Sequence, residues 1–342
     1  MDLYNIFDDD EDDVQIYEFI QFGLPRQVYE RNNYFNVLDD VAFRKRFRLS
    51  KDCVLDVLRL IDNHLEYPYD SNNCISPINQ LLTCLRFYST GGHLQMVADF
   101  AGMHVSSVSR IIRRVTEAIA RLYDIFICLP ENENEIKKTQ QNFFEIAGFL
   151  ENRKAYYSIN TQVVCDASLK IMNVVARWPG SSHDATIFNH SAIHAAFERN
   201  TYRNCLLLGD SGYPCKSYLL TPLLNPATPS EHRYNESHIR TRNTVERLFG
   251  VLKRRFSILA YGSRLKTNTT LSVIVAASVL HNIAIGANDV EAPPLPEELN
   301  EHVLEQLIMN GHIPHINPEI NEPVGAGRML RQQFINEYFA NL

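Results

Sequence analysis

Two acidic residues occupy positions that suit metal-dependent chemistry, and Asp210 is the first. It follows three consecutive leucines, Leu206 to Leu208, and precedes Gly212 and Pro214. The leucines predict a strand buried on both faces. The glycine and proline then predict a turn. Asp210 is therefore expected at the carboxyl end of a strand, where open α/β sheets place their ligand sites.

Glu246 is the second acid, and its surroundings show helical periodicity. Apolar side chains recur at Val245, Leu248, Phe249, Leu252 and Phe256. The spacing predicts an amphipathic helix over 243–256, preceded by a polar loop over 225–242. Carboxylates are the ligands that Mg²⁺ prefers, and two metal ions about 4 Å apart can clamp the oxygens of an in-line displacement. Either acid could instead be a cap, since Asp often closes turns and Glu246 stands three residues after Asn243.

Basic residues surround Glu246 although the chain carries a net charge of −7. The negative charge lies at the two ends of the chain. Residues 8–13 are six consecutive acids, and residues 287–342 hold nine acids against two arginines. Segment 231–266 holds nine Lys or Arg against three Glu. This excess of positive charge favours contact with phosphates. The predicted contacts to the nucleic-acid backbone are Arg240, Arg242, Lys253, Arg254 and Arg255.

The bulk composition is that of an ordinary globular protein. Its 342 residues are enough for two domains, and 45% of them are hydrophobic. No apolar run approaches a membrane span, and the acidic start is unlike a signal peptide. Seven cysteines without a C-x-x-C pair predict reduced thiols in an intracellular protein.

A second nucleic-acid signal lies over 94–116. A short helix from Leu94 to Ala101, a turn at Gly102 and a second helix opening at Ser106 form the layout of a helix-turn-helix. In DNA-binding versions of this motif the second helix enters the major groove. Its predicted exposed face carries Arg110, Arg113 and Arg114. A plain helical hairpin is the alternative interpretation.

The periodicity changes to that of strands after position 155. Residues 156–166 and 171–178 predict two strands of a hairpin, and Ser181 to Asp184 predict the cap of a helix that runs toward Phe197. His190 and His194 are four residues apart, but no Cys pair or Glu general base accompanies them. A structural role is therefore expected for both.

Linked motifs carry a resemblance to a known family. They are Asn152-Arg-Lys154, Ser158 to Asp166, Ala176-Arg-Trp-Pro-Gly-Ser-Ser-His183-Asp184, Gly209-Asp210-Ser-Gly-Tyr-Pro214 and Asn243-Thr-Val-Glu246-Arg-Leu-Phe-Gly-Val-Leu-Lys-Arg-Arg-Phe256. In this order they resemble the transposases of PIF/Harbinger DNA transposons and the nuclease derived from them, which are DDE superfamily endonucleases. The similarity covers 40–290 and includes Leu280-His281-Asn282.

The resemblance implies an α/β fold: an RNase H-like DDE catalytic domain preceded by an all-helical domain with a helix-turn-helix. It implies a divalent cation, Mg²⁺ or Mn²⁺, held by Asp184, Asp210 and Glu246. The expected organisation is an acidic N-terminus over 1–35, a helical domain over 36–130, a nuclease domain over 142–286 and an acidic tail with a short helix over 287–342.

One feature departs from the family pattern. The family carries its first Asp on an Ile-Asp-Gly-Thr-His-like strand before the Asn-Arg-Lys segment. Here Phe143 to Leu150 runs directly into Glu151, so this strand and its acid are missing. Asp184 or Asp166 would then have to complete the metal site. Three hypotheses follow: a metal-dependent DNA endonuclease, a catalytically impaired DNA-binding or adaptor protein, or a protein-interaction scaffold.

The resemblance also implies partners. They are DNA, a Myb/SANT-like protein that recognises DNA and brings the chain into the nucleus, and a second copy of the chain. The expected localisation is the nucleus and also the cytoplasm, without a membrane partner.

Overall fold

The computed structural model describes residues 31–67, 74–130, 132, 134–135, 159–202, 205–263, 265–289 and 325–340. Three features of the sequence lie outside these residues. They are the acidic run over 8–13, the junction between Leu150 and Glu151 with the segment before it, and most of the acidic tail.

The first part of the described chain is helical, as the sequence predicts. Its helices are α1 (Tyr34–Val37), α2 (Asp40–Phe47), α3 (Lys51–Leu65), α4 (Pro77–Thr90), α5 (Leu94–Ala101), α6 (Val105–Ala120) and α7 (Tyr123–Phe126). Local signals fix their ends. The Ser50 hydroxyl accepts a hydrogen bond from the Cys53 amide at the start of α3, and Pro77 opens α4.

Helices α5 and α6 lie at the positions predicted for the helix-turn-helix. Gly102 ends α5 with a φ of 60°, a left-handed conformation that glycine adopts without strain. The predicted inner face of α6, which includes Val108, Ile111 and Val115, is buried. Arg110 and Arg113 are exposed. The two helices and their turn are thus present, while DNA recognition by α6 stays a prediction.

The predicted hairpin is formed by β1 (Ile159–Cys165) and β2 (Ile171–Pro179), which pair antiparallel. Its turn is closed by the Asp166 carboxylate, which accepts hydrogen bonds from the amides of Ser168 and Lys170. A second, shorter pair consists of β3 (Leu207–Leu208) and β4 (Leu219–Leu220), which run parallel. Asp210 therefore follows a strand, as expected.

The strands of the described residues form two separate two-stranded sheets. A single RNase H-like sheet is thus not confirmed, and the segment expected to carry the missing strand lies outside the described ranges. Burial of the three leucines on both faces is wrong: Leu206 is 39% exposed and Leu208 38%. The reason is that Leu207 packs against the cluster of Phe188, Ile193, Phe197 and Leu219, while Leu206 and Leu208 point to the opposite face.

The remaining helices are α8 (Asp184–Asn189), α9 (Ala192–Glu198), α10 (Pro229–Arg255), α11 (Ile258–Tyr261), α12 (Thr267–Gly286) and α13 (Ala326–Phe334), which continues as a π-helical segment, Ile335–Phe339. Two predictions are corrected here. The helix expected over 184–197 is two helices, because Ser191 caps α9 by accepting from the His194 amide. The loop expected over 225–242 is largely helical, because Thr228 and Glu231 form a capping box at the start of α10.

A continuous hydrophobic core joins the helical region to the hairpin and to α10. Helix α12 lies at its centre and packs against α6 and β2. Contrary to the expectation from the sequence, it is long and apolar enough to cross a membrane, but its residues 276–284 are buried inside the protein. This burial is typical of a core helix. The predicted helical and nuclease domains therefore share one core.

The end of the chain packs on α10. Ile335 and Phe339 are buried against Tyr234, and the Arg331 guanidinium donates hydrogen bonds to the backbone oxygen of Thr221 beside β4. A short helix, α13, lies in the tail, and the π-helical segment that continues it packs on Tyr234 of α10.

Candidate active site

The carboxylates of Asp210 and Glu246 meet at one guanidinium. The Arg242 Nη2 atom lies 3.2 Å from Asp210 Oδ2 and 3.4 Å from Glu246 Oε1. Arg242 and Glu246 are one turn apart on α10, while Asp210 comes from the end of β3. The three side chains are only 22%, 24% and 17% exposed, respectively. The two acids that sequence spacing singled out are therefore brought together.

Asp184 and Asp210 converge around Gly212. The Gly212 amide donates a 2.8 Å hydrogen bond to Asp210 Oδ1. A β-carbon at position 212 would lie 2.9 Å from that same oxygen and 3.3 Å from Asp184 Oδ2. Glycine at this position therefore lets the two carboxylates approach. The sequence had suggested only a turn-forming role for Gly212.

Asn160 on β1 orients Asp184. Its side-chain amide donates to Asp184 Oδ1 at 2.9 Å and to the backbone oxygen of Ser182 at 3.0 Å. Asp184 is the first residue of α8, so the turn before that helix and the hairpin together fix its carboxylate. The sequence placed Asn160 in a family-like motif without giving it a role.

Buried neutral groups border the acids. Burial raises the pKa of the Tyr213 phenol, and the charges of Asp184 and Asp210 raise it further, against the opposing effect of Arg242. Burial also raises the pKa of the Cys165 thiol to about 12, with Asp166 and Glu246 adding to the shift. Cys165 is thus a thiol at neutral pH, and the ionised donors of the site are carboxylate oxygens.

These donors are of the kind that Mg²⁺ and Mn²⁺ take. In the described ranges, however, no group of three or more His, Cys, Asp or Glu side chains is gathered as a metal centre. The three acids are linked in pairs instead, Asp184 with Asp210 at Gly212 and Asp210 with Glu246 at Arg242. The chemistry of the donors fits a divalent cation, while Arg242 contacts two of the carboxylates.

Asp166, the other acid that could complete the site, serves the hairpin turn through its hydrogen bonds to Ser168 and Lys170. The structure therefore favours Asp184 as the third acid. His190 and His194 also have local structural partners. The His190 ring bonds to the Thr186 backbone oxygen, and the His194 ring lies 2.9 Å from Lys216 Nζ.

One predicted contact to nucleic acid is corrected by burial. Arg255 is fully buried and donates to the backbone oxygens of Arg48 and Asp289. It therefore has no access to DNA. Arg242, which is 22% exposed, is hydrogen-bonded to Asp210 and Glu246, and its contact to nucleic acid stays a prediction. The sequence signal for Arg255 was present, because it lies at helical spacing from the buried Leu248 and Leu252.

The other predicted basic residues lie nearer the surface. Arg240 is exposed and forms an ion pair with Glu236. Lys253 is exposed, and the partly exposed Arg254 donates to the Gly250 backbone oxygen. On α6, Arg114 lies 4.3 Å from the centre of the Tyr67 ring, while Arg110 and Arg113 face solvent.

Comparison with known proteins relates the chain to a family and to several named proteins. Residues 133–282 match the family described as DDE superfamily endonuclease. The human protein named "Putative nuclease HARBI1" is 29% identical over 84% of this chain and 91% of its own length. Its Xenopus laevis counterpart is 25% identical over 78% of this chain and 84% of its length. The Arabidopsis thaliana "Protein ALP1-like" is 22% identical over 79% and 77%, respectively. No solved structure matches the chain.

Proposed function

We propose, from the membership of residues 133–282 in the DDE superfamily of endonucleases, that this protein hydrolyses phosphodiester bonds of DNA with the help of Mg²⁺ or Mn²⁺. The observation that supports it is the approach, in pairs, of three carboxylates from separate elements: Asp184 of α8 with Asp210 after β3 at Gly212, and Asp210 with Glu246 of α10 at Arg242. Turn-capping alone would not require these pairs.

Each residue has a separate part in this proposal. Asp184, Asp210 and Glu246 would hold the cation, which supplies positive charge to the oxygens that attack and leave phosphorus. Asn160 fixes the direction of the Asp184 carboxylate, and Gly212 lets it approach Asp210. Tyr213, whose pKa is raised by burial and by the neighbouring acids, stays protonated beside the site.

DNA would lie along the exposed cations of α10 and α6. Lys253, Arg254 and Arg240 continue along the helix that carries Glu246, and Arg110 and Arg113 extend from α6. These side chains suit sequence-independent phosphate contacts. Since Arg255 is buried and Arg242 is engaged, fewer cations face solvent than the sequence predicted.

We extend the proposal to a Myb/SANT-like partner that recognises the DNA and brings the chain into the nucleus, with a second copy of the chain at the paired DNA ends. The modest number of exposed cations supports the need for such a partner. The affinity of the chain alone for random and selected duplexes tests this. Nanomolar, sequence-specific binding by the chain alone would remove the need for it.

The catalytic proposal is tested by nicking of supercoiled plasmid with Mn²⁺. Asp210→Asn and Glu246→Gln are expected to lower the rate at least about 100-fold, because each removes a charged ligand of the cation. Glu236→Gln is the matched control, since Glu236 lies on the same helix and pairs only near the surface with Arg240. Nicking that persists in Glu246→Gln at the control rate would show that the assigned site is wrong.

A catalytically impaired DNA-binding or adaptor protein is the alternative that the sequence raises, because the strand with the first acid of the family pattern is missing from it. It predicts salt-sensitive DNA binding without cleavage under any divalent cation. Arg110→Ala and Arg113→Ala would weaken that binding, while Arg121→Ala, at the far end of α6, would not. Metal-dependent nicking by the wild-type protein would decide against this candidate.

A further inference from the structure

Arg242 lies between two acids that the proposed reaction needs for a cation. One nitrogen, Nη2, is hydrogen-bonded to Asp210 Oδ2 and to Glu246 Oε1, and all three side chains are mostly buried. A guanidinium remains charged at any physiological pH. It therefore offsets the repulsion of the two carboxylates, which would be strong in a partly buried setting.

The two oxygens that Arg242 contacts are those suited to a shared cation. Asp210 Oδ1 already accepts from the Gly212 amide, so Oδ2 is the oxygen on the side of Glu246. A divalent cation shared by Asp210 and Glu246 would take the oxygens that Arg242 now holds. The cation and the guanidinium cannot both occupy that position.

We propose that Arg242 is the resident counter-charge of Asp210 and Glu246, and that it competes with the divalent cation for the same two carboxylate oxygens. The inference rests on the proposed metal role of these acids. A cation of charge two bound by hard oxygens displaces the single charge of the guanidinium. Arg242 stays within reach of the site, because its backbone is fixed in α10 one turn before Glu246.

Displacement gives Arg242 a second role. Once its carboxylates are taken by the cation, the guanidinium becomes available to a DNA phosphate, which it can contact with two parallel hydrogen bonds. Cation binding and DNA binding then strengthen each other through one side chain. By linkage, each ligand raises the affinity for the other by the same factor.

The first test is the affinity for Mn²⁺ measured by calorimetry on the full chain without DNA. Arg242→Gln is expected to bind Mn²⁺ about tenfold tighter than wild type, since the competing charge is gone. Arg240→Gln, two residues earlier on the same helix and paired with Glu236, is the control for a general loss of positive charge. Asp210→Asn should abolish the binding.

The outcomes separate this inference from the proposed function. The proposed competition would be overturned if Arg242→Gln bound Mn²⁺ no more tightly than wild type and Arg240→Gln do. The proposed metal site itself would then stand. An absence of Mn²⁺ binding in wild type and all folded variants would instead overturn the proposed function. If Arg242→Gln does not fold, Arg242→Lys takes its place in the test. Its affinity for Mn²⁺ should lie between that of wild type and a value about tenfold tighter, since the lysine ammonium lacks the planar fork of the guanidinium.

The second test measures DNA affinity by fluorescence anisotropy in EDTA and in Ca²⁺, at one ionic strength. Ca²⁺ should raise the affinity of wild type and of Arg240→Gln, and the gain should be about fivefold smaller in Arg242→Gln. In EDTA, Arg242→Gln should bind DNA as Arg240→Gln does or better, because Arg242 is then held by the acids. A full gain in Arg242→Gln would contradict the second role.

Discussion

At the scale of single residues, Gly212 decides how closely Asp184 and Asp210 approach. Gly212→Ala is expected to push the Asp210 carboxylate away from its present position, because the added carbon would lie 2.9 Å from Oδ1. A shift of the order of 1 Å can cost about 100-fold in rate. We expect plasmid nicking and Mn²⁺ affinity to fall, with the free energy of unfolding lowered by only about 1 kcal/mol.

Gly250→Ala is the control for this substitution. Gly250 lies on α10 with no atom within 4 Å of an added β-carbon, so alanine there should leave nicking unchanged and stabilise the helix slightly. Nicking at the wild-type rate in Gly212→Ala would show that the pair of aspartates is not part of the reaction.

Residue patterns predicted the acids but not what surrounds them. A leucine run followed by a turn was enough to place Asp210 after a strand, and a helical period was enough to place Glu246. The ion pair with Arg242 had a signal that was not used, because residues four apart on a helix face each other. Asp184 and Gly212 belong to segments that are far apart in sequence, so no local pattern predicts that they lie close together.

At the scale of elements, side chains of α12 hold the start of β2 through hydrogen bonds. The Asn282 amide group makes three hydrogen bonds, two with the backbone of Ile171 and one with the Phe126 oxygen. The neighbouring His281 ring lies 2.8 Å from the Leu169 backbone oxygen. The hairpin that carries Asn160 is thus tied to the core helix, and the Leu-His-Asn motif has a structural role.

His281 makes this contact between α12 and the hairpin sensitive to pH. Burial lowers the pKa of its imidazole from 6.5 to about 4. Between these values the unfolded chain binds a proton that the folded chain does not, so stability falls as the pH falls from 7 to 5. His281→Gln keeps a donor for Leu169 but does not titrate. Between pH 7 and pH 5, we expect the free energy of unfolding of His281→Gln, measured in urea, to fall about half as much as that of wild type. The other half remains because His238, whose pKa burial also lowers to about 4, continues to titrate.

Asn288→Gln, an exposed change shortly after α12, should leave the pH dependence as in wild type. An unchanged difference between pH 7 and pH 5 in His281→Gln would mean that the imidazole is not the titrating group.

Element boundaries were predictable where a cap is local. Ser50 and Pro77 are local signals of this kind at the starts of α3 and α4. The start of α10 differs from the prediction although Thr228, Pro229 and Glu231 form the sequence pattern of a capping box, because the polarity of 225–242 is also typical of a loop. An exposed amphipathic helix is polar too, and only its ion pairs and caps distinguish it from a loop.

At the scale of the whole molecule, a buried ion pair joins the helical region to the nuclease region. Arg255, at the end of α10, reaches the Arg48 oxygen after α2 and Asp289 after α12. Asp289 in turn accepts from the Ser50 amide and pairs with Arg44. These contacts explain why the predicted domains share one core. They also turn Arg255 from a predicted DNA contact into a stabilising residue.

Substitution of Arg255 should therefore lower the stability of the protein, whereas substitution of the neighbouring Lys253 should affect DNA binding. Arg255→Met is expected to lower the free energy of unfolding by about 3 kcal/mol, because it leaves Asp289 buried beside one fewer cation. Lys253→Gln should leave stability unchanged but weaken DNA binding and reduce its logarithmic salt slope by about one. Urea unfolding and anisotropy at three salt concentrations measure both quantities. Loss of DNA affinity in Arg255→Met at unchanged stability would contradict the buried position, since a side chain enclosed by Asp289 and Arg48 cannot reach a phosphate while the fold is intact.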